Sequence, residues 1–513
     1  MQTRWLSILL FVLVLATRIV AADWPTWRHD GARSASTSEE LADQLHLQWW
    51  REYPPLKPAW SEDPRLYFDE NYEPIVMGQT MFFGSSRNDS VTAVDITTGK
   101  ERWQFFADGP VRFAPVASRG RVYFGADDGY FYCLDAETGD LVWQHQAAPG
   151  GRKVLGNERL ISVWPVRGGP VLVDGKIYFT VGVWPFEGTF LYALDEETGQ
   201  PVSPVKGEQR ERTGSTVANA NPAEITIVNL KDNSPQGYLA VSSEGLLMPC
   251  GRSVAACFRW ESGELVNYDY STQATTNYHV CTSGPWLFHG LISYDMASQE
   301  TAPIRVRRPV LTDQTMYVGQ EGNIAIYDLN NQKRAVDRQG TEIDKPELTL
   351  QSSLTVEIVS GPARDSDEYE QWIKEHPLCV DLKAGNRLYG HQQDTIFAVD
   401  LGAADHQPPK VLWTKRIEGT VASMIAANKK LFVVTREGRI YCFGQSSVDP
   451  TTFPWRPRYW PALGKTANSK ASRVLSQVHV RDGYCVVLGI NDGSLIDRLV
   501  RETSFRIIGV DAD

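Results

Sequence analysis

Basic clusters, paired cysteines and membrane-length apolar runs are what this 513-residue sequence lacks. With a net charge of −11 and no long run of Lys and Arg, the chain is poorly suited to bind nucleic acid or anionic membranes. No Cys-x-x-Cys pair occurs among its seven cysteines, and its nine histidines are scattered, which argues against a structural zinc site. Beyond the N-terminus, no segment is apolar for long enough to span a bilayer.

The N-terminus has the pattern of a secretory signal peptide, which we assign to residues 1–22. Arg4 supplies the positive charge, residues 6–16 supply the apolar core, and small residues precede Asp23 as in a cleavage site. The apolar run is too short to favour a membrane anchor. We therefore expect export to a periplasm or to the cell exterior.

A short motif recurs along the chain. Residues 93–103 read AVDITTGKERW, residues 133–143 read CLDAETGDLVW, and a third copy at 193–199 lacks the tryptophan. Each copy follows an alternating apolar run and therefore predicts strand, tight turn and strand. The Asp can accept turn N–H bonds, the Gly takes the positive φ that ends the turn, and the Trp fills the wedge between neighbouring sheets. A period near forty with four strands per unit is typical of a β-propeller.

Seven such units are recognisable within residues 23–445, and the weaker region 271–300 is a candidate for an eighth. The last unit, at 422–444, has three strands, and residues 45–52 can supply its fourth and close the ring. Residues 334–377 are predicted to be a charged insertion that ends in a short surface helix. The predicted fold class is therefore all-β, a propeller of seven or eight four-stranded blades followed by a short α/β segment.

The Ala-x-Asp-x-x-Thr-Gly-x-x-x-Trp copies resemble the PQQ-like (pyrrolo-quinoline quinone) repeat of quinoprotein dehydrogenases and of the outer-membrane assembly lipoprotein. Residues 161–170, 183–188 and 251–254 are similar to a set of large exported bacterial PQQ-like proteins. The resemblance to the dehydrogenases implies a quinone in the propeller funnel. In that class the quinone lies under a disulfide between adjacent cysteines and above a calcium ion. This chain has no Cys-Cys dipeptide and no recognisable calcium ligands or catalytic Asp. We therefore expect no catalytic residue and no metal site, and the sequence leaves PQQ as an open but disfavoured cofactor.

The function that the sequence favours is that of an exported, non-catalytic binding or scaffold module. Propellers gather irregular loops around one central channel, so a protein or small-molecule ligand of unidentified kind would meet residues there. The ligand-binding candidates lie in loop insertions and are Trp164, Arg167, Trp184, Phe186 and Arg252. Their alternative role is structural, because buried aromatic residues usually serve packing. The alternative function is that of a PQQ-dependent quinoprotein oxidoreductase.

The C-terminal residues 471–513 follow a different pattern, after a predicted linker at 446–470. A buried strand, a Gly-containing loop, a helix over 494–503 and a second strand predict a β–loop–α–β unit. This unit resembles the first third of a class I S-adenosylmethionine-dependent methyltransferase.

The methyltransferase resemblance implies cofactor-binding residues in the last strand–loop–strand stretch. The residues concerned are Gly489, Asn491 and Gly493 in the loop, and Asp511 facing the ribose. A complete domain of this class needs about five more strands to form its sheet and site. We therefore expect an inert remnant without S-adenosylmethionine, with an incomplete methyltransferase as the alternative.

Overall fold

The computed structural model describes residues 22–157, 159–203, 227–251, 253–260, 262–268, 276–336, 342–402, 409–455, 465–490 and 492–510. The chain divides into two compact units, Met1–Trp455 and Arg456–Asp513. Within the described ranges, no helix has the length and apolar character needed to cross a membrane.

The first unit is a β-propeller of eight blades, each built on four antiparallel strands that follow chain order except in blade 8, whose fourth strand comes from the N-terminal end of the propeller. The strands of blades 1 to 4 are Ile75–Met77, Thr80–Ser85, Ser90–Asp95 and Glu101–Phe106; Val116–Ser118, Arg121–Gly125, Tyr130–Asp135 and Leu141–Gln146; Val171–Val173, Lys176–Val181, Phe190–Asp195 and Ile227–Asn229; and Ala240–Val241, Gly245–Cys250, Ser253–Arg259 and Leu265–Asn267. The prediction of a propeller is confirmed.

Blades 5 to 8 complete the ring. Their strands are Val280–Ser283, Trp286–His289, Ile292–Asp295 and Glu300–Ala302; Val310–Leu311, Thr315–Gln320, Asn323–Val336 and Glu342–Thr355; Cys379–Ala384, Arg387–Gln392, Thr395–Asp400 and Lys410–Arg416; and Val421–Ala427, Lys430–Thr435, Arg439–Gly444 and His46–Glu52. The weak region 271–300 therefore contributes blade 5. The stretch 334–377 contains the long fourth strand of blade 6 and a helix, α1 (Asp367–Glu375).

The ring is closed by a strand from the N-terminal end of the propeller. His46–Glu52 pairs antiparallel with Arg439–Gly444 and forms the outer strand of blade 8. A short strand, Thr451–Phe453, then pairs with it in parallel and covers its outer edge. The predicted closure by residues 45–52 is confirmed, and the outer edge of the closing strand is covered by Thr451–Phe453.

The repeated motif joins neighbouring blades through a tryptophan–glycine contact. Gly139 has a φ of +78°, and a Cβ added there would lie 2.6 Å from Cδ2 of Trp103, in the preceding blade. Trp49 covers Gly99 in the same way. Glycine is thus required by both the left-handed backbone and the indole ring packed against it. The predicted turn and wedge roles are confirmed.

Residues 22–38, here called the strap, bind the inner strands of the propeller. Backbone carbonyls of the strap accept hydrogen bonds of 2.7–3.1 Å from the backbone amides of Val76, Ala117, Val241, Thr282, Leu311, Lys383 and Asn428, which belong to seven different blades. The eighth, blade 3, is reached by Arg33, whose Nη2 donates to the carbonyl of Pro170. The strap lies at the end of the ring where the first strand of each blade turns into the second. It therefore blocks that end of the central channel.

The described part of the second unit begins with a helix, α2 (Lys465–Gln477). A strand, Asp482–Leu488, a helix, α3 (Ser494–Glu502), and a strand, Ser504–Val510, follow, and the two strands pair in parallel. Leu475, Val487 and Leu499 form its small core.

Candidate functional site

The opposite end of the propeller, here called the funnel face, carries the connections between blades and the turns between second and third strands. In a meander of antiparallel strands these two kinds of loop fall at the same end. Loops positioned by a rigid ring are where propellers place ligand-binding residues. Ligand-binding residues are therefore expected on this face.

Residues 54–73, here called the lid, cross the funnel face instead of joining blades 8 and 1 directly. The lid contacts loops of blades 2 to 5 on the far side of the channel. Three hydrogen bonds join them: Asn157 Nδ2 donates to Ala59 O of the lid (2.6 Å), Trp60 Nε1 of the lid donates to Gln236 Oε1 (2.7 Å), and Tyr278 N donates to Arg65 O of the lid (3.0 Å). Leu66 of the lid also packs over Gly251. A short 3₁₀ helix, Pro64–Leu66, forms its middle. The lid thus covers the channel mouth.

A column of aromatic rings connects the lid to the strap inside the channel. Phe68 of the lid stacks on Phe113 with 4.8 Å between ring centroids, and Phe113 meets Tyr238 edge to face at 5.1 Å. Tyr238 in turn stacks on Trp27 of the strap at 3.8 Å. All four residues are buried. The channel is therefore filled by aromatic side chains from both of the segments that close it.

A buried charge cluster lies beside this column. Asp69 of the lid accepts a hydrogen bond from Arg112 Nη1 at 2.5 Å, and Arg112 Nε donates to Asp127 at 2.6 Å. Arg167 Nε and Nη2 donate to the two oxygens of Asp127 at 2.8 and 2.9 Å. Two carboxylates and two guanidinium groups alternate, so the burial of each charge is compensated by a neighbour.

The pKa values of the two carboxylates in the cluster are shifted in opposite directions. Burial raises the pKa of Asp127, but Arg112 and Arg167 outweigh burial, so this pKa lies below its ordinary value. Burial raises the pKa of Asp69 above its ordinary value, because its main partner is Arg112 alone. Asp69 is therefore the less strongly held anion of the pair.

One buried donor of Arg167, its Nη1 group, has no hydrogen-bond partner within the described part of the chain. Its side chain is fully buried, Nη2 also donates to Asn157 Oδ1 at 2.9 Å, and Nη1 makes no hydrogen bond. A buried guanidinium N–H without an acceptor is costly. This N–H is therefore a donor for which the described residues supply no acceptor.

A second group of charged residues lies deeper, next to the strap. Glu73, Arg308 and Asp381 line a cavity of about 10 Å³, together with Trp27 and Arg28. Burial raises the pKa of Glu73. The volume is enough for about one water molecule.

The four ligand-binding candidates that the structure describes do not form one site. Arg167 lies in the buried charge cluster. Trp164 holds a loop by donating its Nε1 hydrogen bond to Glu187 O at 2.7 Å, and Trp184 precedes the 3₁₀ helix Pro185–Glu187 in that loop. Phe186 is 83% exposed at the same corner. Arg252 lies outside the described residues.

The proposed cofactor residues of the second unit are described only in part. Gly489 and Gly493 have φ values of +78° and +72°, and Gly493 caps α3. Asn491 and Asp511 lie outside the described residues. The methyltransferase resemblance stays a prediction.

The lid and the charge cluster contain functional candidates that the sequence did not indicate. These are Phe68, Asp69, Arg112 and Asp127. The available signal was weak, because each lies in an irregular connection or turn that the repeats do not share. A charged pair such as Asp127-Asp128 at the end of an otherwise apolar strand was the clearest hint.

Comparison with characterised proteins places quinone dehydrogenases among the relatives. The chain is 31% identical over 157 residues to the dehydrogenase subunit of a quinone alcohol dehydrogenase from Gluconobacter oxydans, covering 28% of this chain and 20% of the relative. It is 28% identical over 222 residues to a quinohemoprotein alcohol dehydrogenase from Comamonas testosteroni, covering 39% and 30%. The chain thus matches less than a third of the length of either relative.

Solved structures with a similar fold include the Comamonas testosteroni quinohemoprotein alcohol dehydrogenase and a europium-containing methanol dehydrogenase. The first has 14% identity and a TM-score of 0.47, covering 88% of this chain and 84% of that one. The second has 13% identity and a TM-score of 0.47, covering 83% and 98%.

Two expectations from the sequence are wrong in the light of these relatives. One is that the propeller is a non-catalytic binding or scaffold module, and the other is that PQQ is disfavoured as its cofactor. Both rested on the absence of a Cys-Cys dipeptide, of recognisable calcium ligands and of a recognisable catalytic Asp, yet the sequence relatives include quinone and quinohemoprotein alcohol dehydrogenases.

A family model supplies the broadest match. The model described as outer membrane protein assembly factor BamB matches residues 47–335, which is more than half of the chain and spans blades 1 to 5 with part of blade 6. This chain therefore belongs to the PQQ-like repeat β-propeller family that the model represents.

Proposed function

We propose that this protein is a PQQ-dependent oxidoreductase whose quinone binds in the funnel beneath the lid and whose substrates are alcohols. The support is the sequence similarity of the propeller to quinone alcohol dehydrogenases. Because the match covers a minor part of those relatives, the activity and the substrate class are part of the proposal.

The observation that carries the proposal is the unsatisfied N–H of the buried Arg167. PQQ is a planar aromatic quinone that carries carboxylate groups, so its site needs cationic donors beside aromatic rings. The funnel offers Arg112 and Arg167 next to Phe113 and Tyr238. The chemistry of this donor set fits the cofactor. Within the described ranges, no three His, Cys, Asp or Glu side chains are grouped closely enough to hold a metal ion, and the proposal assigns no metal ligands.

The roles of the residues follow from their surroundings. Arg167 and Arg112 would hold the carboxylates of PQQ, and the ring of Phe113 would support its plane. PQQ, when bound, accepts the electrons removed from the substrate.

The test is reconstitution of the full chain with PQQ and Ca²⁺, followed by dye reduction with short alcohols and sugars. We expect saturable quenching of tryptophan fluorescence by PQQ and alcohol-dependent dye reduction. Arg167→Gln should weaken PQQ binding at least about tenfold, because a charge-assisted bond to a carboxylate is lost. Absence of both binding and dye reduction in the reconstituted protein would dismiss the proposal.

The matched control is Arg159→Gln. Arg159 also lies on the funnel face, but it is partly exposed and pairs with Asp89. It should leave PQQ affinity within about twofold. Near-ultraviolet circular dichroism of both variants separates loss of binding from loss of fold.

We also propose that the protein works outside the cytoplasm. The support is the signal-like pattern of residues 1–22. Fractionation of cells that express the full gene, with N-terminal sequencing of the product, tests this; a cytoplasmic product that retains residues 1–22 would contradict it.

A further inference from the structure

The Phe68-Asp69 pair of the lid has the chemistry of the ligand that the funnel is proposed to bind. Phe68 presents an aromatic ring stacked on Phe113, with an interplanar angle of 14°. The next residue, Asp69, presents a carboxylate to Arg112 at 2.5 Å. An aromatic ring and an adjacent carboxylate are the two features of an aromatic carboxylate such as PQQ.

Both side chains are buried, and both come from the one segment that spans the channel mouth. Phe68 is 2% exposed and Asp69 is fully buried. The Asp69 oxygens also accept hydrogen bonds from the backbone N–H of Ala59, at 3.1 and 3.2 Å, so the carboxylate ties the lid to itself as well as to the channel wall. Release of this one carboxylate would therefore loosen the lid and free Nη1 of Arg112 at the same time, while Nε of Arg112 stays bound to Asp127.

We propose that Phe68-Asp69 is an internal pseudo-ligand: the lid keeps the funnel filled with its own ring and carboxylate until an aromatic carboxylate displaces them. The inference rests on the proposed function for the identity of the natural ligand. It goes further by making Arg112 a shared partner, bound by Asp69 in the closed state and by the ligand in the open state. Binding and lid opening are then the same event.

The pseudo-ligand is tested with Asp69→Asn, Phe68→Leu and a control, Asp63→Asn. Asp63 lies in the same lid but pairs with Arg65, also of the lid. Hydrogen exchange of the lid amides is measured without ligand, with PQQ, and with pyridine-2,6-dicarboxylate as a redox-inert aromatic carboxylate. Asp69→Asn and Phe68→Leu should each speed exchange of the lid and the association of both ligands by roughly tenfold, because each removes a contact made only in the closed state. Asp63→Asn should change neither rate more than about twofold.

The outcomes separate this inference from the proposed function. Faster hydrogen exchange of the lid in the wild-type protein on addition of pyridine-2,6-dicarboxylate, without PQQ-dependent dye reduction, supports the pseudo-ligand and contradicts the proposed oxidoreductase activity. PQQ-dependent dye reduction with lid exchange unchanged by PQQ, or lid exchange in Asp69→Asn equal to that of the wild type, overturns the pseudo-ligand. Phe68→Leu serves if Asp69→Asn folds poorly, because it leaves all charges in place.

Discussion

Replacement of Arg33 by methionine should weaken the attachment of the strap to the propeller. The Arg33 side chain is fully buried and donates hydrogen bonds to Leu239 O (2.7 Å), Pro170 O (2.9 Å), Trp27 O (3.0 Å) and Thr26 Oγ1 (2.7 Å). The first two acceptors belong to the inner parts of blades 4 and 3. Methionine fills a similar volume but donates to none of them, so each acceptor loses its partner inside the channel.

The magnitude follows from the competing terms for a buried charge. Hydrogen bonds from a charged donor contribute about 1.5–3 kcal/mol each, so four such bonds set an upper bound of roughly 6–12 kcal/mol. Removal of the guanidinium also removes its own desolvation penalty of several kcal/mol. We therefore expect the free energy of unfolding to fall by about 3–5 kcal/mol, in line with the cost of breaking a buried charged interaction.

Guanidinium-induced unfolding, followed by tryptophan fluorescence, measures this loss. Arg87→Met is the matched control, because Arg87 is exposed on the same propeller, and it should change the unfolding free energy by less than about 0.5 kcal/mol. Arg33→Lys keeps the charge but not the planar fork of donors, and it should lose most of the same stability. A loss below about 1 kcal/mol for Arg33→Met would refute the reasoning, because the strap would then contribute little to the ring.

Two further predictions concern packing and pH. Gly139→Ala should lower the free energy of unfolding in urea by about 2–4 kcal/mol, since the new Cβ meets Trp103 at 2.6 Å. The control is Gly120→Ala, where φ is a similar +76° but nothing lies within 4 Å of the new Cβ, and it should lower that free energy by only about 1–2 kcal/mol. Equal losses in the two variants would show that the Trp103 contact is not the cause. Burial lowers the pKa of His391, but Asp381 outweighs burial and raises it to about 10, so the stabilisation is full below about pH 6.5 and is lost as pH rises toward 10. His391→Gln should flatten that fall in a pH series of melting temperatures, and an unchanged slope would contradict the assignment.

The sequence predicted the blades well because their determinants are local. The Asp-x-x-Thr-Gly turn and its tryptophan lie within eleven residues of each other, so each copy could be recognised alone. Blade 5 was weak because its turn uses other residues for the same geometry. Asp295 accepts from Ala297 N at 3.1 Å and from Ser298 Oγ at 2.8 Å, and Gln299 takes the left-handed position with a φ of +60°.

The strap, the lid and the charge cluster could not be predicted, because their partners are distant in sequence. Arg33 and Leu239 are 206 residues apart, and Asp69 and Arg112 are 43 apart. Arg167 was selected as a candidate from its loop, but its partner Asp127 was not, since an Asp at a strand end resembles any turn residue. Only the closed ring brings them within hydrogen-bond distance.

The two ends of the channel differ in what must break to open them. The strap is joined to seven blades through hydrogen bonds between backbone atoms, and Arg33 reaches the eighth, so its release would leave donors unpaired around the whole ring. The lid reaches the far side of the channel mainly through side chains, such as Trp60 to Gln236 and Asn157 to Ala59, in addition to one backbone bond to Tyr278. A segment opens more readily when fewer of its buried hydrogen bonds must be broken. A ligand that reaches Arg112 and Arg167 must therefore enter through the lid, which is the end that Asp69 secures.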